Sequence, residues 1–273
     1  MIRKGLLPEW GVRDAARVAG GLLPPLAVVL TLLVVWEFIV ATFHVKTYIL
    51  PAPTKIWSYL LLQRELLMKA SLVTGQEIVV GFLISVALGV PLGILVARSR
   101  LFSLTTYPLI VASQTFPKLA IGPLLIVWFG FGQLPKLLLA VLVAFFPIMV
   151  NTMAGLRAVA EDSDMLSRSL GLGRSKTFFK IHLPQALPSV FAGLKVGVTL
   201  AVIGVIVGEF LGTSAGLGYI IINATGTVDT VALFGVLVVL TVIGLVSYGV
   251  VAAIERVAIP WYFERRDNAA PTG

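Results

Sequence analysis

The sequence predicts an all-α, polytopic membrane protein with about six transmembrane helices, and three observations carry that expectation. Hydrophobic residues fill 58% of the 273 positions, and charged residues only 12%, against the roughly 25% usual in soluble domains. Mean hydropathy is +0.99. The apolar residues are gathered into long continuous runs, each near the roughly 20 residues that cross a bilayer as a helix, not into the roughly ten-residue alternating segments of a membrane barrel. In lipid a backbone amide finds no water, so such runs satisfy their amides internally, as helices.

The runs lie at about 22–43, 71–97, 103–130, 136–155, 188–211 and 231–254. The first follows a basic stretch, "MIRKGLLPEWGVRDAARVAG", and no small-residue cleavage site succeeds it, so it reads as a retained first span. The connection "HVKTYILPAPTKIWSYLLLQRELLMKA" mixes apolar and polar residues after Pro51 and Pro53, which predicts a short helix lying on the membrane surface.

In the second run, small residues recur every fourth position at Gly81, Ser85, Gly89, Gly93 and Ala97. In the fifth they recur at Gly193 and Gly197, then at Gly204, Gly208 and Gly212. Such stripes let helix backbones approach closely. Packing within one bundle is favoured, with a contact between two copies as the alternative.

The third run holds Pro108, Pro117 and Pro123, with Gln114 and Lys118 between them. Proline removes a donor and bends a helix, which is tolerated in a membrane where protein or a water-filled cavity supplies partners. This run is therefore a candidate pathway wall, although Lys118 reads equally well as a side chain snorkelling to headgroups. Glu37 and Glu77 sit near span ends, where interfacial solvation accounts for them. Glu209 lies in the glycine-rich end of the fifth run, where a gate or dimer contact competes evenly with interfacial placement.

Fourteen lysines and arginines flank one side of the runs and five the other, with Lys118 and Lys195 in or beside spans. The positive-inside rule places both termini in the cytoplasm. This bias accounts for most of the net charge of +8 and removes the case for nucleic-acid binding. With no cysteine and two histidines, the chain offers neither a disulfide framework nor a thiolate metal site, and no metal or cofactor is expected.

The largest connection on the basic side, 156–187, contains "SLGLGRSKT". This is a near miss to a phosphate loop, G-x-x-x-x-G-K-[ST]: Ser175 precedes Lys176, and Leu170 takes the place of the first glycine. Glu161, Asp162, Ser163 and Asp164 read as the capped start of a short helix, with Gly171 and Gly173 as its stop. A second amphipathic piece, with Phe178, Phe179, Ile181 and Leu183 beside Lys176 and Lys180, is expected to end at Pro184.

On these residues the chain resembles the inner-membrane permeases of ATP-binding-cassette (ABC) importers. Gly171 matches the glycine of their "EAA" loop and Leu183-Pro184 the L-P pair. "PKLAIGPLLIVWFGFG", "FPIMVNTMAGLR" and "GTSAGLGYIIINA" are similar to the nitrate, sulfonate, taurine and bicarbonate branch. Met165, Leu166 and Ser167 replace E-A-A, leaving Asp164 as the nearest acid.

The resemblance implies a type I permease fold: a cytoplasmic segment 1–21, a first span and outer segment 22–70, a permease core 71–257 and a cytoplasmic tail 258–273. It implies coupling to the ATPase through Asp164, Arg168, Gly171, Leu172, Phe179, Leu183 and Pro184. Gln114, Lys118, Asn151 and Glu209 are the candidates for path or gate. Implied partners are two ATPase subunits, a second copy of the chain and an extracytoplasmic solute-binding protein, in a bacterial inner membrane. The chain itself would perform no covalent chemistry. A small anion such as a sulfonate or nitrate is the expected solute, with a pyrimidine or riboflavin as alternatives. A secondary transporter without an ATPase and a membrane scaffold are the competing classes.

Overall fold

In the computed structural model the described residues are 12–169, 171–212 and 214–263, and among them there is no strand. Ten α-helices follow in order: α1 Val12–Thr42, α2 Pro53–Leu62, α3 Arg64–Arg98, α4 Arg100–Thr115, α5 Gly122–Phe129, α6 Gln133–Ser169, α7 Arg174–Thr177, α8 Leu183–Phe210, α9 Leu217–Gly226 and α10 Thr230–Ala258. Among the described residues, five helical segments are long and apolar enough to cross a membrane: Pro24–Thr42, Arg64–Arg98, Gln133–Val159, Ser175–Phe210 and Thr230–Ala258.

The expected third span is the one that differs. Instead of one bent helix over 103–130, α4 stops at Thr115, Phe116 is extended (φ −75°, ψ 129°), a 3-10 turn covers Lys118–Ile121, and α5 follows. The residue before a proline is driven out of the helical region, so Pro117 breaks the helix at Phe116. Pro123 then sits in the first turn of α5, where its missing N–H costs nothing.

Helix α6 is the centre of the bundle, with α3 on one side and α8 on the other. α3 runs parallel to it at a constant offset of 59 residues: Gly81 faces Ala140, Gly89 faces Ile148 and Gly93 faces Thr152. α8 runs antiparallel: Ser189 faces Gly155, Gly193 faces Asn151, Gly197 faces Ile148, Gly204 faces Ala140 and Gly208 faces Lys136. A methyl group added at Gly204 would lie 2.6 Å from the Cα of Ala140. Both glycine stripes thus serve contacts within one chain. Lipid tails are as apolar as the side chains, so close van der Waals fit must hold such helices together.

A short helix, α2, stands where one was expected after Pro51 and Pro53, and Glu37 on α1 caps it. Its carboxylate accepts from the backbone N–H of Thr54 at 3.1 Å and from the Thr54 hydroxyl at 2.9 Å. Glu37, partly exposed near the end of α1, thus also has a partner in the chain. It satisfies orphan donors at a helix start, where a negative charge is also favoured by the helix dipole.

The connection 156–187 is more continuous than its sequence suggests. Glu161 to Asp164 start no helix; they lie within α6, which runs unbroken from the bundle to Ser169. Nor does Pro184 end the next piece. The segment from Arg174 to Phe210 is one continuous helix with a π turn at Phe178–His182, and Pro184 lies in the first turn of α8 after it. The Leu183 N–H reaches back to the Phe178 carbonyl. This wider turn accommodates a proline that would clash with the carbonyl four residues before it.

Candidate functional site

Two features concentrate chemistry, and they lie at opposite ends of α6 and α8. At the first end, Gly171 closes α6 in a left-handed conformation (φ +65°) with open space around its Cα. That is the geometry of a helix stop, in which glycine avoids the Cβ penalty. The turn leads to a knob whose inner side is Phe178, buried against Leu156, Ala186, Ile94 and Leu183. The Arg98 guanidinium lies 4.4 Å from the centre of the Phe178 ring, a cation–π distance, which links the end of α3 to the root of α8. The outer side carries Phe179, 61% exposed, between the exposed Lys176 and Lys180. The Phe179 ring stands edge-on to the buried Phe178 at 5.1 Å, and its outer face, flanked by cations, is an exposed apolar surface.

Of the expected coupling residues, the structure brings Gly171, Leu172, Phe179, Leu183 and Pro184 to this knob and its root. Leu172 and Leu183 are half-buried. Asp164 and Arg168 lie on the last turns of α6, and their side chains fall outside the described residues.

At the other end, three buried charged side chains meet. Glu77 on α3 and Lys136 on α6 form an ion pair with both side chains almost fully enclosed, 5% and 6% exposed. They obey the same offset that seats Gly81 on Ala140. One turn further, Glu209 on α8 is 1% exposed. Its carboxylate accepts from Thr74 Oγ1 at 2.8 Å and from the Gly218 N–H at 2.6 Å, while Thr74 Oγ1 accepts from the Leu217 N–H at 2.9 Å. Glu77 and Lys136 are therefore not an interfacial acid and a loop cation. A further ion pair, Lys195 with Glu255 at 2.7 Å, joins α8 to α10.

The path candidates do not converge on one point. Gln114 lies in the last turn of α4. Lys118 Nζ sits 4.7 Å from the centre of the Phe146 ring on α6. Asn151 is half-buried in the α6–α8 seam, where its side-chain N–H donates to the Pro147 carbonyl at 2.8 Å. Lys136, which neighbours Gly208, precedes Asn151 by fifteen residues on α6, roughly 22 Å of helix. Asn151 and Glu209 thus sit at different depths of the bundle.

Sequence reasoning missed Thr74, Glu77, Lys136, Arg98 and Phe178 as members of these clusters. The acids and lysines inside apolar runs were the available signal, but partners 59 or 135 residues away emerge only from helix register.

Multiple close-packed spans with buried, paired charges define an integral membrane protein of the multi-pass helical class. Residues 89–259 match the family described as the inner membrane component of binding-protein-dependent transport systems. The chain is 35% identical over 83% of its length to a probable ABC transporter permease of Haemophilus influenzae, 93% of which is covered. It is 34% identical over 88% of its length to the formylaminopyrimidine transport permease of Halalkalibacterium halodurans, 96% of which is covered. Against the putative aliphatic sulfonates transport permease of Bacillus subtilis it is 32% identical, with 88% and 87% covered. The chain belongs to this family of ABC importer permeases and is a transport subunit.

Proposed function

We propose that this chain is the membrane half of an ATP-driven importer that works as a pair with a second copy of itself, bears two ATPase subunits at its Gly171 end, and receives solute from a binding protein at the opposite face. On this reading both termini lie in the cytoplasm of a bacterium and 71–257 forms the transporting core. The observation that carries it is the knob: an exposed Phe179 flanked by lysines, continuous through the π turn with a helix that spans the whole bundle. A push on the knob is delivered directly to α8 and, through Phe178, to Arg98 on α3. Asp164, Arg168, Gly171, Leu172, Phe179, Leu183 and Pro184 form the coupling site. Gln114, Lys118 and Asn151 belong to the path, with Glu209 supporting it from behind. ATP hydrolysis is the partner's task, since the chain contains no complete P-loop.

For the solute, a small anion such as a sulfonate or nitrate is favoured by a lysine in the broken α4–α5 segment and by the relative named for aliphatic sulfonates. The relative named for formylaminopyrimidine supports a heterocyclic vitamin precursor as the second reading.

The test is a mild-detergent pull-down of the tagged chain from its native membrane with mass spectrometry of what co-purifies, beside Gly171→Pro and Phe179→Ala. An ATPase subunit retained by the wild type and lost from both variants at unchanged chain yield supports the reading. A co-purifying binding protein is then screened against sulfonates, nitrate and pyrimidines. An intact oligomer that brings no ATPase overturns it in favour of gradient-driven transport.

A further inference from the structure

We propose that Glu209 is a positioning residue: together with Thr74 it pins the turn between α8 and α9 to α3, and through that turn it fixes where α5 stands. That α5 lines a solute path rests on the importer reading; the clamp itself does not.

The carboxylate and the Thr74 hydroxyl between them take the backbone N–H groups of Leu217 and Gly218, the first two of α9. Those donors would otherwise be orphaned in an apolar interior. The turn closes tightly on the acid. Gly216 is left-handed (φ +103°), and a Cβ there would strike the Glu209 carboxylate; a Cβ on Gly218 would lie 2.6 Å from the Glu209 Cβ. The acid therefore has its place only while the turn keeps this path.

The opposite side of the same turn carries α5. Gly122 packs directly on Leu211, and the Phe131 ring covers Gly212 so closely that a Cβ there would be 2.6 Å from its edge. Elsewhere α5 rests on α6 through the buried Leu125, while Val127 and Trp128 on its outer face are 80% and 64% exposed. The turn is therefore a shared anchor, with α3 and Glu209 behind it and α5 in front. It also forms, with Ser214 and Gly216, one wall of a cleft of about 440 Å³ bordered by Lys69 and Asn223. Removing the clamp frees the turn, and with it both the cleft wall and α5, while leaving the distant knob untouched.

The experiment is hydrogen–deuterium exchange on the full-length chain purified in mild detergent, comparing wild type with Thr74→Val, Glu209→Gln and Thr74→Ser. Thr74→Val keeps the shape and removes the relay hydroxyl, so it tests the clamp even if Glu209→Gln fails to accumulate. The expected result is exchange at least about fivefold faster in peptides covering 214–220 and 122–131, the population change that loss of a buried hydrogen bond brings. Exchange over 174–182 stays unchanged and Thr74→Ser restores the wild-type rates. Unaltered exchange in Thr74→Val, acceleration confined to 214–220, or equal acceleration throughout the chain overturns the proposal. No ATPase or solute enters the measurement, so the clamp can fail while the importer reading stands, and the reverse.

Discussion

The two ends of α8 are built on opposite plans. At the Glu209 end the buried charged groups are answered within the chain: Glu77 by Lys136, Glu209 by Thr74 and the start of α9. At the Gly171 end Phe179 and the lysines of the knob point away from the bundle, and the helix itself is widened by a π turn. The first plan fixes a geometry, because burying a charge is tolerable only with its partner in place. The second leaves a surface whose apolar ring is stabilised only when something covers it. A single continuous helix joins the two ends.

The contrast can be broken most forcefully at the buried pair. Lys136→Ala strands the Glu77 carboxylate in an enclosed site, and a loss of about 3–5 kcal/mol is expected. It should appear as loss of the monodisperse peak in size-exclusion chromatography, and Lys136→Met with Glu77→Gln should recover much of it. If Lys136→Ala is as stable as wild type, the end described as locked is not locked.

Next comes the seam. Gly204→Leu forces a side chain into the backbone of α6 at Ala140, with an expected cost of about 1–3 kcal/mol for overpacking, read as a lowered unfolding temperature in detergent. The same substitution at Gly244, where a Cβ would meet open space, should be tolerated and serves as the internal control.

At the Gly171 end the expected effects on stability shrink. Gly171→Ala has room but must hold φ +65°, a strain of about 1 kcal/mol, measurable as a small downward shift in unfolding temperature. Phe179→Ala, at an exposed position, should change stability by no more than about 0.5 kcal/mol, while reducing ATPase co-purification more than Gly171→Ala does. A Phe179→Ala chain that unfolds early would show that the ring belongs to the core and not to a docking surface.

Much of this is legible in the sequence because it depends on local rules. The hydropathy runs anticipate α1, α3, α6, α8 and α10, and the four-residue glycine spacing anticipates close helix contacts. The turn at Gly171 follows from its glycines. Prolines are harder to read, since a proline can bend, break or begin a helix: Pro117 suggests a bend in the third run and instead breaks it, and Pro184 suggests a helix end and lies in the first turn of one. The choice is set by the neighbouring backbone, which in the second case adopts a π turn to make room.

What the sequence by itself determined is the solvent, the helical class, the position of the glycine-closed 156–187 connection and the family likeness, because length, hydropathy and short motifs are properties of contiguous residues. Only the tertiary structure decided that Glu77 belongs to Lys136, that Glu209 turns inward to hold the start of α9, and that the glycines of α3 and of α8 from Gly193 to Gly208 face α6. Those outcomes depend on the rotation and offset of one helix against another. That register is fixed jointly by every close contact along the seam and is written in no single stretch of the chain.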